Sequence, residues 1–254
     1  MKEWTLKNKK ALVTGSTKGI GLAIAEEFLS LGAEVFIVSR SAENVGNLLT
    51  KWKGNGFKVY GISADLSTKE GRNELYKGIN NVWNSLDILV NNLGTNIRKK
   101  FLDYTEEEYR RLFETNMFST IDITRSLFPL LQKGNLPSII NITSYAGLYD
   151  LGTGTPYGMS KSAEIQMTRH LAVEWAQYGI RVNSIAPWFI QTPLTKGLLS
   201  IKEKYDRIIE KTPLERVGMP EEVASLAAYL AMEKASYITG QNILVDGGAS
   251  AKTF

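Results

Sequence analysis

Short apolar runs rich in β-branched residues recur along this chain, each separated from the next by a segment long enough for a helix. The runs are Lys10–Thr14, Glu34–Val38, Lys58–Ile62, Leu86–Val90, Ile139–Thr143, Arg181–Ile185 and Asn242–Val245. Helix-like stretches Ile20–Leu31, Ala42–Lys53 and Lys69–Trp83 fill the first gaps, and Gly32 is placed to end the first of them. Runs that are apolar almost throughout, rather than alternating, suit strands covered on both faces. Their regular exchange with helices predicts an α/β fold: a doubly wound, seven-stranded parallel sheet with helices on both faces. The stretch Trp188–Arg216 is the least strand-like and reads as a mobile insertion at the end of a strand, where such sheets bind ligands.

The glycines after the first run sharpen this. Thr14-Gly15-Ser16-Thr17-Lys18-Gly19-Ile20-Gly21 lies between the first strand and the first helix. Glycines there allow a tight turn and close backbone approach to a pyrophosphate, and the helix N-terminus adds free N–H groups and a positive dipole end. Gly-x-x-x-Gly-x-Gly alone is a moderate signal; its position in a β-α-β series makes the expected fold Rossmann-type. With 254 residues and no linker or low-complexity break, residues 1–254 are expected to form a single NAD(P)-binding catalytic domain. The second strand ends in Ser39-Arg40, where a carboxylate would hold a ribose diol. Arg40 instead offers charge-assisted hydrogen bonds to a 2′-phosphate, and Lys18 can approach the same group, so the expected cofactor is NADP(H).

Composition removes several other chemistries. There is no cysteine, so thiolate nucleophiles, disulfides and Cys-ligated zinc are excluded. The single histidine, His170, lies thirteen residues beyond Tyr157 and reads as a surface or interface residue. No cluster has metal-ligand spacing, and no metal is expected. The net charge of +4 carries no long basic stretch, Lys7–Lys10 and Arg98–Lys100 being the longest clusters; no nucleic-acid partner is expected. The polar N-terminus and the absence of a run of about 18 apolar residues predict no membrane association and a cytoplasmic location.

Tyr157 and Lys161 stand at i and i+4, on one face if that segment is helical. The pair is weak evidence alone. It gains weight from Ser144 just past a strand end, from Asn116 in an expected helix and from the glycine loop. Reducing a carbonyl creates an alkoxide that must be stabilised and protonated, and Tyr157 can donate that proton or accept one in the reverse direction. Ordinary phenols ionise near pH 10. A lysine cation at about 4 Å favours the phenolate by roughly 4 kcal/mol at an effective dielectric near 20.

Taken together, Thr14–Gly21, Asp65-Leu66, Asn91-Asn92-Leu93-Gly94, Asn116, Ser144, Tyr157/Lys161, Pro187–Thr192, Ile238–Gln241 and Val245–Gly248 resemble the short-chain dehydrogenase/reductase family in order and spacing across nearly the whole chain. Ser39-Arg40, Trp52, Asn92–Lys99 and Ala186-Pro187-Trp188 are similar to tropinone reductase-like members. The resemblance implies Asn116, Ser144, Tyr157 and Lys161 as the catalytic set. Ser144 orients the carbonyl, and Asn116 holds a water or backbone that links Lys161 to solvent. For the cofactor it implies Gly15, Ser16, Thr17, Lys18, Gly19, Ile20, Gly21, Ser39 and Arg40 at the phosphate end. Asp65 and Leu66 fall at the adenine, Asn92 and Gly94 beside the central sheet, Tyr157 and Lys161 at the nicotinamide ribose, and Pro187, Ile190 and Thr192 at the carboxamide. Asn92 reads equally well as steadying the sheet.

Two positions depart from the family pattern. Leu93 replaces the usual alanine and Trp188 the usual glycine, both near where cofactor and substrate should meet; Trp188 reads equally as pocket wall or core. The substrate contacts expected are Ser144, Tyr157 and Trp188. The apolar surplus Ile165, Met167, Leu171, Ala172, Trp175 and Ala176 predicts a homodimer or homotetramer, since helices at this position form dimer interfaces in the family. The leading expectation is an NADPH-dependent reductase of a small, cyclic or apolar ketone, whose partners are that carbonyl and its alcohol. The alternatives are a 3-oxoacyl-carrier-protein reductase or a sugar-acid dehydrogenase, which the basic Arg98–Lys100 stretch leaves open, and, more remotely, an NADP(H)-binding sensor without turnover.

Overall fold

The computed structural model describes residues 3–152 and 154–252. The ends of the expected domain, residues 1, 2, 253 and 254, and residue 153 lie outside the described residues. Seven parallel strands form one sheet in the order β3-β2-β1-β4-β5-β6-β7: β1 (Lys10–Thr14), β2 (Glu34–Ser39), β3 (Val59–Ser63), β4 (Ile88–Asn91), β5 (Ser138–Ile142), β6 (Arg181–Pro187) and β7 (Asn242–Val245). The order explains the burial. Strands β4, β5 and β6 are internal and buried throughout, whereas β3 and β7 are the edges and stay partly accessible.

Helices cover both faces, as right-handed crossovers between parallel strands require. On one face α1 (Gly19–Ser30), α2 (Ala42–Gly54) and α9 (Pro220–Ala231) bury Ile24, Phe28, Trp52, Val223 and Leu230 against the sheet. On the other, α3 (Lys69–Asn80), α5 (Ser119–Leu131) and α6 (Thr155–Glu174) enclose Leu75, Ile79, Ile123, Leu127, Ala172 and Trp175. A short helix, α4 (Glu106–Phe113), precedes α5, and a π turn at Glu114–Phe118 joins the two.

The expected runs match the strands to within two residues. The third helix ends at Asn80, short of the expected Trp83. The largest departure is Trp188–Arg216, which is structured: α7 (Pro193–Leu199) and α8 (Lys202–Lys211) occupy most of it. Its local pattern is polar because both helices lie over a cleft rather than over the core. No helix among the described residues is long and apolar enough to cross a membrane.

Candidate active site

The sheet reverses its direction of growth between β1 and β4, which leaves an opening above their carboxyl ends. Gly15 and Gly19 take positive φ of 63° and 56° there, a region that disfavours any Cβ. At Gly21 the limit is contact: a Cβ would lie 2.4 Å from both Asn92 Nδ2 and the Gly15 carbonyl. Asn92 ties this loop to β4, its amide donating to the carbonyls of Thr14 at 2.9 Å and Gly15 at 3.2 Å. Ser16 is fully buried and its hydroxyl accepts from Val38 N at 2.9 Å. That hydroxyl and the Ser16 N–H, which donates to the Val38 carbonyl at 3.3 Å, hold the loop to β2.

Side chains of Ser41, Thr68 and Thr105 cap α2, α3 and α4. No side chain caps α1, which begins in this loop, so its first N–H groups face the opening. At the end of β2 the Ser39 hydroxyl is buried without a partner. Lys18 and Arg40 are exposed and form no salt bridge among the described residues. Asp65 Oδ1 accepts from the Ser67 N–H and hydroxyl, and Leu66 beside it is buried. Across the opening, Thr192 lies 3.3 Å from where a Cβ on Gly19 would stand. Buried Ile190 and Pro187 lead into Thr192 from β6. This donor-rich, cation-flanked strip fits a dinucleotide with an additional phosphate at Ser39–Arg40.

Pro156, in the first turn of α6, starts the helix that carries Tyr157 and Lys161. Lys161 is only 3% exposed, and its ammonium donates to the Ile142 carbonyl at 3.1 Å and to Glu164 Oε2 at 2.8 Å. Burial works against that cation. The charges of Glu164 and Tyr157 and the hydrogen bond to Glu164 outweigh it and hold Lys161 above the ordinary lysine value. Burial likewise pushes the Glu164 carboxyl up, opposed by Lys161 and by Thr120. Ser144, at the end of β5, accepts from Ala146 N at 3.1 Å, which leaves its own proton to donate. Asn116 sits in the π turn, completely buried. Its Oδ1 accepts from Thr95 N at 2.8 Å, and its Nδ2 donates to the Thr95 carbonyl at 3.0 Å and to Ser160 Oγ at 3.1 Å. These bonds tie the Thr95 backbone to α6. Gly94 passes close over this group, a Cβ there falling 3.5 Å from Lys161 Nζ.

A cleft of about 1230 Å³ opens beside α6. Its walls include Ala146, Gly158 and Met159, chain neighbours of Ser144 and Tyr157, together with Trp188 and Phe189. Trp188 forms a wall: it meets Tyr145 edge-on at 4.5 Å, and its Nε1 donates to Thr212 at 3.0 Å. Leu93 does the opposite, packing against the core under α3 and α5. The cleft's outer part carries Arg98, Lys99, Lys100, Lys204, Arg207 and Lys211 and one carboxylate, Asp150.

Glu164 is the site residue that the motifs missed. Its signal was a carboxylate three residues after Lys161, on a helix face otherwise filled by Ile165, Thr168 and Ala172. The dimer argument also narrows. Ile165, Ala172 and Trp175 belong to the chain's own core, so the apolar surplus on α6 is smaller than its sequence implies. Val173, at 81% exposure, and Met159 remain outside. His170 is exposed, and no group of residues suited to a metal ion occurs among the described residues.

Comparison with known proteins agrees with this architecture. A family model described as enoyl-(acyl carrier protein) reductase matches residues 15–250. A tropinone reductase homolog of Arabidopsis thaliana is 44% identical over 254 residues, covering 100% of this chain and 96% of that protein. One from Datura stramonium is 40% identical over 257 residues, with 100% and 96% covered. The structure of a RhlG/NADP active-site complex from Pseudomonas aeruginosa matches with a TM-score of 0.92 at 35% identity, over 98% of this chain and 99% of that one. A gluconate 5-dehydrogenase from Burkholderia cenocepacia, in complex with NADP and tartrate, gives 0.93 at 27% identity over 98% of both chains. With a family model covering most of its length and relatives above 40% identity along all of it, the chain belongs to the short-chain dehydrogenase/reductase family of oxidoreductases.

Proposed function

We propose that residues 1–254 act as one catalytic unit, an NADP(H)-dependent reductase that converts a ketone into a secondary alcohol with Tyr157 as general acid and base. The observation that carries this reading is the Lys161 ammonium. It is buried at the end of β5 and held cationic, one helical turn from Tyr157 and close enough for their charges to interact. A buried cation at that place needs a purpose beyond stability, because burying a charge costs free energy that a neutral side chain would avoid.

When bound, the nicotinamide cofactor supplies or accepts the hydride. The chain's own residues do the rest. Ser144 donates to the carbonyl oxygen and fixes its direction. Tyr157 passes its proton to that oxygen as negative charge develops, and Lys161 stabilises the phenolate left behind. Asn116 holds the loop over Lys161 in place through Thr95. The uncapped N-terminus of α1, with Gly15 to Gly21, receives the pyrophosphate. Ser39, Arg40 and Lys18 take the 2′-phosphate, Asp65 and Leu66 the adenine, and Asn92, Gly94, Pro187, Ile190 and Thr192 the nicotinamide half. The NADP bound in the Pseudomonas and Burkholderia structures supports this choice of nucleotide.

Turnover of a ketone panel with NADPH tests the reading. Tyr157→Phe keeps the ring and removes the hydroxyl, and should lower kcat by about 10³ with NADPH affinity retained. Near wild-type turnover in that variant overturns it.

The cleft favours a second reading of the substrate. Six cations and one carboxylate line it; Lys99 pairs with Glu108 and Arg207 with Glu203, and the other four still outnumber Asp150. A field of that sign draws anions, as in the sugar-acid or oxoacyl classes, and works against an amine. Cyclohexanones bearing a carboxylate, its methyl ester or a tertiary amine separate the two. A preference of about tenfold for the carboxylate over the amine, shrinking with salt, supports an anionic substrate. Equal rates leave the apolar ketone.

A further inference from the structure

Glu164 has no part in the reaction just described, yet it touches the group on which that reaction depends. It is 2% exposed, two helical turns beyond Tyr157 and one beyond Lys161. One carboxylate oxygen takes the Lys161 ammonium at 2.8 Å, and the other lies 3.4 Å from the Thr120 hydroxyl. Thr120 in turn donates to the Asn116 carbonyl at 2.8 Å. A carboxylate this deeply buried is costly unless paired, and Lys161 is the one charged group acting on it.

The elements packed around α6 offer no rival. On α4, Glu106, Glu107, Tyr109, Arg110 and Arg111 are exposed, and Glu108 pairs with Lys99. Glu114 of the π turn and Asp122 of α5 both pair with Arg72, and Arg125 is exposed. Tyr145 packs against Tyr149 and Trp188. On β6, Arg181 is spent on the carbonyls of Leu230, Met232 and Ile238. On α6 itself the remaining titratable group near Lys161 is Tyr157.

We propose that Glu164 is a positioning residue for the Tyr157–Lys161 pair. Its carboxylate keeps the proton on Lys161 and aims the ammonium, and by offsetting its charge it sets the pH range in which the pair exchanges a proton with substrate. An ammonium has three hydrogens. Ile142 and Glu164 take two, so a single N–H is left for the reacting side. The offset acts on the pair as a whole, because two coupled groups titrate together. Seven residues of helix put Glu164 about 10 Å from Tyr157 along the axis. A unit charge there moves a titration by about one pH unit at an effective dielectric near 20.

The inference rests on the proposed roles of Tyr157 and Lys161, and the experiment keeps the two apart. Glu164→Gln retains an acceptor for Lys161 and removes the charge; Glu164→Met removes both and serves if the glutamine variant does not fold. The first measurement is the pH profile of kcat/KM. The acidic limb of alcohol oxidation and the alkaline limb of ketone reduction should both move down by about one unit, with the glutamine variant still folded and its NADPH affinity near wild type. The second needs no turnover: nitrogen-15 NMR of the Lys161 side chain, assigned by its loss in Lys161→Arg. In the wild type Lys161 should stay an ammonium across the accessible pH range, and in either Glu164 variant it should titrate within that range. Unmoved limbs in a folded variant overturn the proposal, as does a Lys161 resonance that titrates as in the wild type. Near wild-type turnover by Tyr157→Phe overturns the catalytic reading instead, and the lysine titration still decides whether Glu164 holds the proton.

Discussion

The two sides of the opening above the sheet are built on different terms. On the β1–β2 side, backbone does most of the work: two glycines with positive φ, a third with no room for a Cβ, and a helix start that no side chain caps. On the β5–β6 side, side chains do it. Lys161, Asn116 and Trp188 each depend on partners far away in sequence. Backbone geometry suits the part of a ligand that never changes, such as a pyrophosphate. Side chains, which can be exchanged singly, suit the part that distinguishes one substrate from another.

That contrast breaks most visibly at Gly21. Gly21→Ala drives a methyl group into the Asn92 amide and the Gly15 carbonyl, and backbone cannot give way as a flexible side chain can. Titration should show NADPH affinity falling about 100-fold, equivalent to about 2.7 kcal/mol. Where the nucleotide side does rely on a side chain, the loss should be selective. Arg40→Ala should weaken NADPH by about tenfold and leave NADH unchanged, as measured by kcat/KM with each. Equal losses for both would mean that Arg40 supports the loop and reads no phosphate.

The smallest effect is expected at the far end of the substrate side. Arg216 closes the Trp188–Arg216 segment by a two-point bond to Glu222, at 2.8 and 2.7 Å. Glu222 also accepts from Met219 N. The Arg216 pair and that backbone bond hold its carboxyl down, at about 2. A depressed carboxylate stabilises the fold above its unfolded value near 4.5, and the contribution is lost as pH falls from there through the folded value. The pair is exposed, so Glu222→Gln should lower Tm by no more than about 2 °C at neutral pH, and by progressively less as pH falls toward 2. A larger drop would show that this exposed clasp holds α7 and α8 over the cleft.

The same division explains what could be read from the chain. Lys10–Thr14 and Asn242–Val245 match their strands residue for residue, because an apolar run between turns has few alternatives. Gly15, Gly19 and Gly21 were legible since they restrict their own backbone. The Tyr157/Lys161 spacing was legible for a similar local reason. By contrast, α7 and α8 looked like a mobile insertion, because their packing surface is a cleft wall and not the core. The π turn at Asn116 left no local mark, as it is set by what the Asn116 side chain reaches on other elements. Glu164 passed as one more polar residue on a long helix. Its meaning comes from burial beside Lys161, and burial belongs to the assembled fold. Ile165, Ala172 and Trp175 erred the other way: apolar residues cannot announce whether they face their own core or a partner's.

Asn116 joins residues 21 and 44 positions away, Thr95 and Ser160, and Lys161 reaches back 19 positions to Ile142. During synthesis the bonds made by Ser160 and Lys161 cannot close until α6 has left the ribosome. The Thr14–Gly21 loop, complete once β2 is in place apart from its tie to Asn92, can take shape much earlier. The proposed catalytic end is therefore a late product of folding, and a chain interrupted before Tyr157 carries much of a phosphate cradle with no acid to serve it.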